Sequence, residues 1–216
     1  MKKLAIFDLD GTLLNTIADL AHSTNYALNK LGYPTHDVEK YNFMVGNGIN
    51  KLFERALPDG EKNEENVLRV RKEFIPYYNL HNADDSRPYP GISELLSCLQ
   101  SAGIRLAVAS NKYHAATEKL IAHYFPEIRF IAVFGQREGV NVKPDPTIVF
   151  DILKLADVEK KDVLYVGDSG VDMQTAANAG VTACGVTWGF RPRTELEGFS
   201  PAYIVDTARE IEKLIL

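Results

Sequence analysis

A short apolar run, Ala5-Ile6-Phe7, ends in Asp8-Leu9-Asp10-Gly11-Thr12. Apolar residues in unbroken succession mark a strand buried on both faces, the habit of a parallel sheet covered by helices. The chain then delivers two carboxylates one residue apart and turns at Gly11. In an open α/β sheet, that end of a strand is where ligands bind. Two such carboxylates repel unless one is protonated or a cation lies between them. A hard divalent ion, Mg2+ above all, is the natural partner for oxygen ligands.

The pattern after this strand changes. Apolar positions at Ile17, Leu20, Ala21, Leu28 and Leu31 predict a helix, with Thr16-Ile17-Ala18-Asp19 as a possible capping box and Gly32 and Pro34 as its stop. Further helices are expected over 37–41, 49–57 and 61–79, and no convincing strand falls between 15 and 87. A simple crossover needs only one helix, so several imply an inserted helical subdomain. Arg87-Pro88-Tyr89-Pro90-Gly91 reads as the hinge back. The predicted organisation is a core of residues 1–14 and 88–216 with a helical cap over 15–87. From residue 92 onward helix and strand alternate, with strands expected over 104–109, 130–134, 163–166, 181–186 and 202–205. Repeated βα units predict an α/β protein with a doubly wound parallel sheet.

Three of these strands end in polar residues: Asp8 with Asp10, Ser110 with Asn111, and Asp168 with Ser169. A further loop carries Val142-Lys143-Pro144-Asp145. Parallel strands end on one rim, so these groups should converge. Carboxylates that hold Mg2+, together with a hydroxyl and an ammonium that bind phosphate oxygens, suit phosphoryl transfer, where positioning and charge neutralisation dominate.

In order along the chain, Asp8-Leu9-Asp10-Gly11-Thr12, Ser110, Lys143 and Gly167-Asp168-Ser169-Gly170-Val171-Asp172 resemble the four motifs of the haloacid dehalogenase superfamily. The helical insertion after the first motif resembles the small helical cap of its first cap class, over a Rossmann-like core. Gly46-Asn47-Gly48, Tyr89-Pro90-Gly91 and Ser110-Asn111-Lys112 are most similar to its phosphoglycolate phosphatase branch. The resemblance implies that Asp8 is a nucleophile forming an aspartyl-phosphate and that Asp10 is the general acid and base. It implies metal contacts from Asp8, Asp10 (through its backbone carbonyl) and Asp168, with Asp172 and Ser169 standing behind them. Phosphate contacts are expected from Thr12, Ser110, Asn111 and Lys143. In the cap, Gly46, Asn47, Gly48 and Lys51 are candidates for substrate specificity. The second aspartate of the first motif favours phosphate chemistry, because an alkoxide leaving group needs an acid and a halide does not.

The expected activity is Mg2+-dependent hydrolysis of a small phosphorylated metabolite resembling phosphoglycolate. A phosphomutase similar to β-phosphoglucomutase would share the same residues and pass the phosphoryl group to a sugar hydroxyl. Outside enzymes, a receiver module phosphorylated on aspartate has comparable strand-end chemistry, but it needs only about a hundred residues and no helical insertion. No Gly-x4-Gly-Lys-Ser/Thr is present.

Composition narrows the partners. A net charge of −5 without a basic run disfavours nucleic-acid binding. No apolar stretch approaches the roughly 20 residues that span a bilayer, and Asp8 interrupts the one apolar run near the start, so a cytoplasmic protein is expected. Cys98 and Cys184 lack metal-ligand spacing and read as reduced. A monomer or a homodimer is expected.

Overall fold

A computed structural model describes residues 2–216. In chain order its strands are β1 (Leu4–Phe7), β2 (Leu14–Asn15), β3 (Arg87–Pro88), β4 (Arg105–Tyr113), β5 (Phe130–Gln136), β6 (Val163–Gly167), β7 (Thr182–Val186) and β8 (Tyr203–Val205). Its helices are α1 (Ile17–Lys30), α2 (Ile49–Ala56), α3 (Glu64–His81), α4 (Ile92–Ser101), α5 (His114–Tyr124), α6 (Thr147–Ala156), α7 (Gly170–Ala179), α8 (Arg193–Gly198) and α9 (Ala208–Ile215). None of these helices is long and apolar enough to cross a membrane.

Among the described residues, the main sheet has the order β5-β4-β1-β6-β7-β8, and every pairing in it is parallel. β1 lies in the middle because all four of its residues are apolar and fully buried. Ala5 and Phe7 pack with Leu95, Leu96 and Val108 on one face, and Leu4 and Ile6 with Ile152 and Tyr165 on the other. β4 and β6 flank β1 on opposite sides, so the carboxyl end of β1 is a topological switch point, where crossover connections diverge and leave a crevice.

The chain leaves and re-enters the core through β2 and β3, an antiparallel pair two residues long. Between them α1, α2, α3 and a 3-10 turn at Val38–Phe43 build a second apolar core around Leu28, Tyr41, Phe53, Phe74 and Tyr78. The expected capping box at the start of α1 does not form. Thr16 Oγ1 instead donates to Asp10 Oδ1 at 2.6 Å. The buried Asp19 carboxylate accepts from the backbone N–H groups of Asp85 and Ser86, both at 2.9 Å, and from Ser86 Oγ at 2.6 Å. Both side chains are drawn into tying the crossing segments together, where buried donors need partners more than a helix end beside solvent does.

The cap also touches the core above β1. Asn111 Nδ2 donates to Gly46 O at 3.0 Å, and Arg191 Nη2 donates to Val45 O at 2.8 Å. Two consecutive carbonyls of one cap loop are thus held by two core side chains.

Candidate active site

The residues that end β1, β4 and β6 meet at the switch point. Asp8 hangs from β1 with its backbone N–H bonded to Val166 O at 2.9 Å. Lys143 reaches in from the loop before α6. Its Nζ donates to Asp172 Oδ1 at 2.7 Å and to Ala109 O at 2.9 Å. The same ammonium lies 3.0 Å from Asp8 Oδ1, but off the direction a hydrogen bond needs, so that oxygen is buried without a donor. Asp168 follows β6, and its Oδ2 accepts from Phe190 N at 2.7 Å. Carboxylate oxygens of Asp8, Asp168 and Asp172 lie within 4.8 Å of one another, and all three residues are buried.

Three buried acids therefore crowd together, and one ammonium serves two of them, Asp8 and Asp172. Burial, helped by Asp172 and Asp10 and opposed by Lys143, pushes the Asp8 carboxyl up to about 7. Burial raises Asp168 well above the usual carboxylate range, with Asp172 and Asp8 adding to the effect. For Lys143, burial alone would lower the ammonium, yet Asp172 and Asp8 outweigh it and hold it well above its ordinary value. The cluster is short of positive charge. Oxygen donors, a buried Asp8 oxygen with no donor and unneutralised acids are what a divalent cation needs, and Mg2+ suits such a set.

Backbone shape makes room for this crowding. Gly11 turns with φ +84°, and a Cβ there would lie 2.3 Å from Asp168 Oδ2. A Cβ on Gly189 would fall 2.2 Å from Asp168 Cβ and 2.4 Å from Gly11 O. Asp172 is turned from the cavity by its other bonds. Its Oδ2 accepts from Ser169 Oγ at 2.6 Å and Ser169 N at 3.2 Å, the capping box of α7. Asp172 and Ser169 thus fix Lys143 and the α7 start behind the cluster.

Asp10 has different partners. Lys112 Nζ donates to its two oxygens at 3.0 and 3.1 Å, and stands 4.9 Å from the centre of the Tyr78 ring. Lys112, Asp8, Asp10, Ser110 and Asp168 line one cavity, closed from the cap side by Val45, Gly46, Gly48, Ile49 and Leu52. Its volume is about 50 Å3.

Several expected contacts fall elsewhere. Thr12 is fully buried beside the turn, off the cavity wall, with its carbonyl accepting from Trp188 Nε1 at 3.1 Å. Asn111 borders the cavity, but its amide is committed: Oδ1 accepts from Lys143 N at 2.8 Å and Nδ2 donates to Lys143 O and Gly46 O, both at 3.0 Å. It braces the Lys143 loop and has no donor left for phosphate. Ser110 keeps its hydroxyl proton free, since its Oγ only accepts from Lys112 N at 3.2 Å. In the cap, Gly46 and Gly48 reach the cavity and Asn47 does not; its Oδ1 accepts from Arg55 Nη2 at 2.7 Å. Lys51 points into solvent and pairs with Glu54 at 2.6 Å. On α2, Ile49 and Leu52 share the cavity face, and the helical period turns Lys51 away from it.

Two basic cavity residues were outside the expected site set, Lys112 and Arg191. Each is a single basic residue with no spacing signature. The available signal was position alone, since Lys112 lies near the end of β4 and Arg191 follows β7 on the same rim.

Comparison with known proteins agrees with this geometry. A family model for haloacid dehalogenase-like hydrolases matches residues 5–186. A phosphoglycolate phosphatase of Agrobacterium fabrum is 35% identical, over 100% of this chain and 95% of the relative. A phosphoglycolate phosphatase of Vibrio parahaemolyticus is 30% identical, over 99% of this chain and 96% of the relative. The crystal structure of a protein from Lactobacillus delbrueckii subsp. bulgaricus superposes with a TM-score of 0.93 at 34% identity, over 100% of this chain and 99% of that one. By sequence over most of its length and by fold, the chain belongs to the haloacid dehalogenase-like hydrolase family.

Proposed function

We propose that this chain is a Mg2+-dependent phosphatase of small phosphorylated metabolites, with phosphoglycolate as its leading substrate. The observation that carries the reading is the cluster of three buried carboxylates at the switch point of the sheet, two of them paired with one buried ammonium. The names of the relatives support phosphoglycolate. The cavity, about 50 Å3 and closed from the cap side, supports a small substrate.

Asp8 and Asp168 side chains, with the Asp10 backbone carbonyl, would hold Mg2+. Bound there, the ion supplies charge neutralisation for the cluster and for phosphoryl oxygens. The remaining chemistry belongs to the chain. Asp8 attacks phosphorus through a carboxylate oxygen, the bond from phosphorus to the ester oxygen breaks, and an aspartyl-phosphate forms. Asp10 gives its proton to the departing alkoxide. It then takes a proton from the water that attacks the phosphorylated Asp8, releasing phosphate and restoring both carboxyl groups. Thr16 and Lys112 hold Asp10 in place for both steps. Lys143 stabilises negative charge on the transferring group, and Ser110 offers it a hydroxyl donor. The cap excludes water other than the attacking one.

Phosphate release from phosphoglycolate, sugar phosphates and p-nitrophenyl phosphate, with Mg2+ and with EDTA, tests the reading. Turnover is expected only with Mg2+, fastest for phosphoglycolate, and Asp8→Asn should abolish it without lowering the melting temperature. Turnover by Asp8→Asn near the wild-type rate would exclude the nucleophile assignment. Sugar phosphate isomers formed without free phosphate would move the chain to the phosphomutases.

A further inference from the structure

We infer that Arg191 recognises a second anionic group of the substrate, a carboxylate, on the cap side of the phosphate position; this deepens the phosphatase reading and rests on it.

The loop after β7 crosses the site clamped at two points. Trp188 Nε1 donates to Thr12 O at 3.1 Å, and Phe190 N donates to Asp168 Oδ2 at 2.7 Å. Arg191 emerges immediately after the second clamp and lines the same cavity as Asp8. Its side chain is only 10% exposed. Nη2 is used by Val45 O, and Nε lies 3.4 Å from Glu195 Oε2. The other Glu195 oxygen accepts from Gly170 N at 2.9 Å, so that carboxylate is shared with the start of α7. Nη1 is buried and has no hydrogen-bond partner. A buried charged donor left unpaired is costly, and native structures seldom keep one without a use.

The other cation on the cavity wall is already engaged: Lys112 is bonded to both oxygens of Asp10. Behind the wall Lys143 is shared by Asp172 and Asp8. Among the described cavity residues, Arg191 is the cation with a donor to spare. The wall beside it is glycine: a Cβ on Gly46 would lie 3.7 Å from Arg191 Nη2, so backbone rather than a side chain faces the guanidinium there. A planar fork of N–H groups matches a carboxylate better than a hydroxyl or a ring. One spare arginine beside a cap-side wall that is otherwise apolar selects a phosphorylated carboxylic acid over a phosphomonoester without a second charge.

The test compares kcat/KM for phosphoglycolate with that for its uncharged amide, 2-phosphoglycolamide, in the wild-type protein with Mg2+ and in Arg191→Met. Inhibition of p-nitrophenyl phosphate hydrolysis by glycolate gives an independent binding readout. The wild-type protein should prefer the acid. Arg191→Met should cut that preference by roughly 10- to 100-fold, chiefly through KM, as expected for loss of a charge-assisted hydrogen bond. Inhibition by glycolate should weaken by a similar factor. Arg191→Gln, which keeps a donor for Val45 O but loses the charge, should lose the same preference and decides the matter if the methionine variant does not fold. An unchanged ratio in a folded variant would overturn the inference. Equal losses on acid and amide would do so as well, by making Arg191 an anchor of the cap loop. A wild-type protein that hydrolyses both substrates equally well overturns the role of Arg191 alone; one that hydrolyses no phosphomonoester overturns the reading beneath it.

Discussion

Replacing Lys143 by Met keeps most of its length and removes its charge. The ammonium it deletes is 2.7 Å from Asp172 and 3.0 Å from Asp8, and it also satisfies Ala109 O. Removing one partner of a buried ion pair costs about 3–5 kcal/mol, because the remaining charge is left uncompensated. For a chain of this size each kcal/mol lowers the melting temperature by roughly 2–4 °C, so the metal-free variant should melt roughly 6–20 °C below wild type at pH 8. At pH 5 the loss should be smaller, since Asp8, raised to about 7, is already protonated there and leaves no charge unpaired when Lys143 is removed. Adding Asp172→Asn to the variant should cost less than the same change in wild type, with a coupling of about 0.5–3 kcal/mol. Circular dichroism melts with EDTA at both pH values measure all of this. A variant that melts within about 2 °C of wild type at pH 8 would refute the claim that Lys143 is the shared counterion of buried, ionised acids.

Three further outcomes are expected. The raised Asp8 and Asp168 carboxyls bind more protons in the folded than in the unfolded chain. Their contribution to metal-free stability is therefore full below about pH 4 and is lost as pH rises, for Asp8 through about 7. Saturating Mg2+ should abolish that decline in thermal melts; a decline of equal depth with and without the ion would count against a cation site. Gly189→Ala places a Cβ 2.2 Å from Asp168 Cβ and should weaken Mg2+ affinity by about 10-fold or more in calorimetric titration, as displaced supports of metal ligands do; wild-type affinity would dismiss the crowding argument. Asp19→Ala strips the acceptor from Asp85 N, Ser86 N and Ser86 Oγ, at about 1–3 kcal/mol per buried donor. Amide hydrogen exchange at Asp85 and Ser86 should then be faster than in wild type, and an unchanged rate would deny Asp19 its role in holding the crossing.

The sheet was legible because its strands are short apolar runs bounded by glycine or polar residues, and a parallel order follows from the alternating helices. The meeting of Asp8, Ser110 and Asp168 followed from strand direction alone. β2 and β3 escaped notice because two residues carry no periodicity and their pairing partners lie on opposite sides of the whole cap. Asp19 looked like half of a capping box since local spacing cannot reveal that Asp85 and Ser86 compete for its oxygens. Lys51 remained a candidate for want of a helix face: only packing tells which side of α2 meets the core. Asn111 was placed correctly and its use was not, because the backbone of the Lys143 loop consumes its amide. Lys112 and Arg191 illustrate a general limit. A lone basic residue after a strand has many solvated counterparts, and only burial and partners distinguish the few that face a cavity.

The most direct test of the central claim is to quench the protein with borohydride during turnover of phosphoglycolate with Mg2+, then sequence its peptides by mass spectrometry. An acyl phosphate on the nucleophile is reduced to homoserine, and the account predicts that conversion at position 8 alone, dependent on substrate. Steady phosphate release with Asp8 unmodified, or with the conversion at another aspartate, would contradict it.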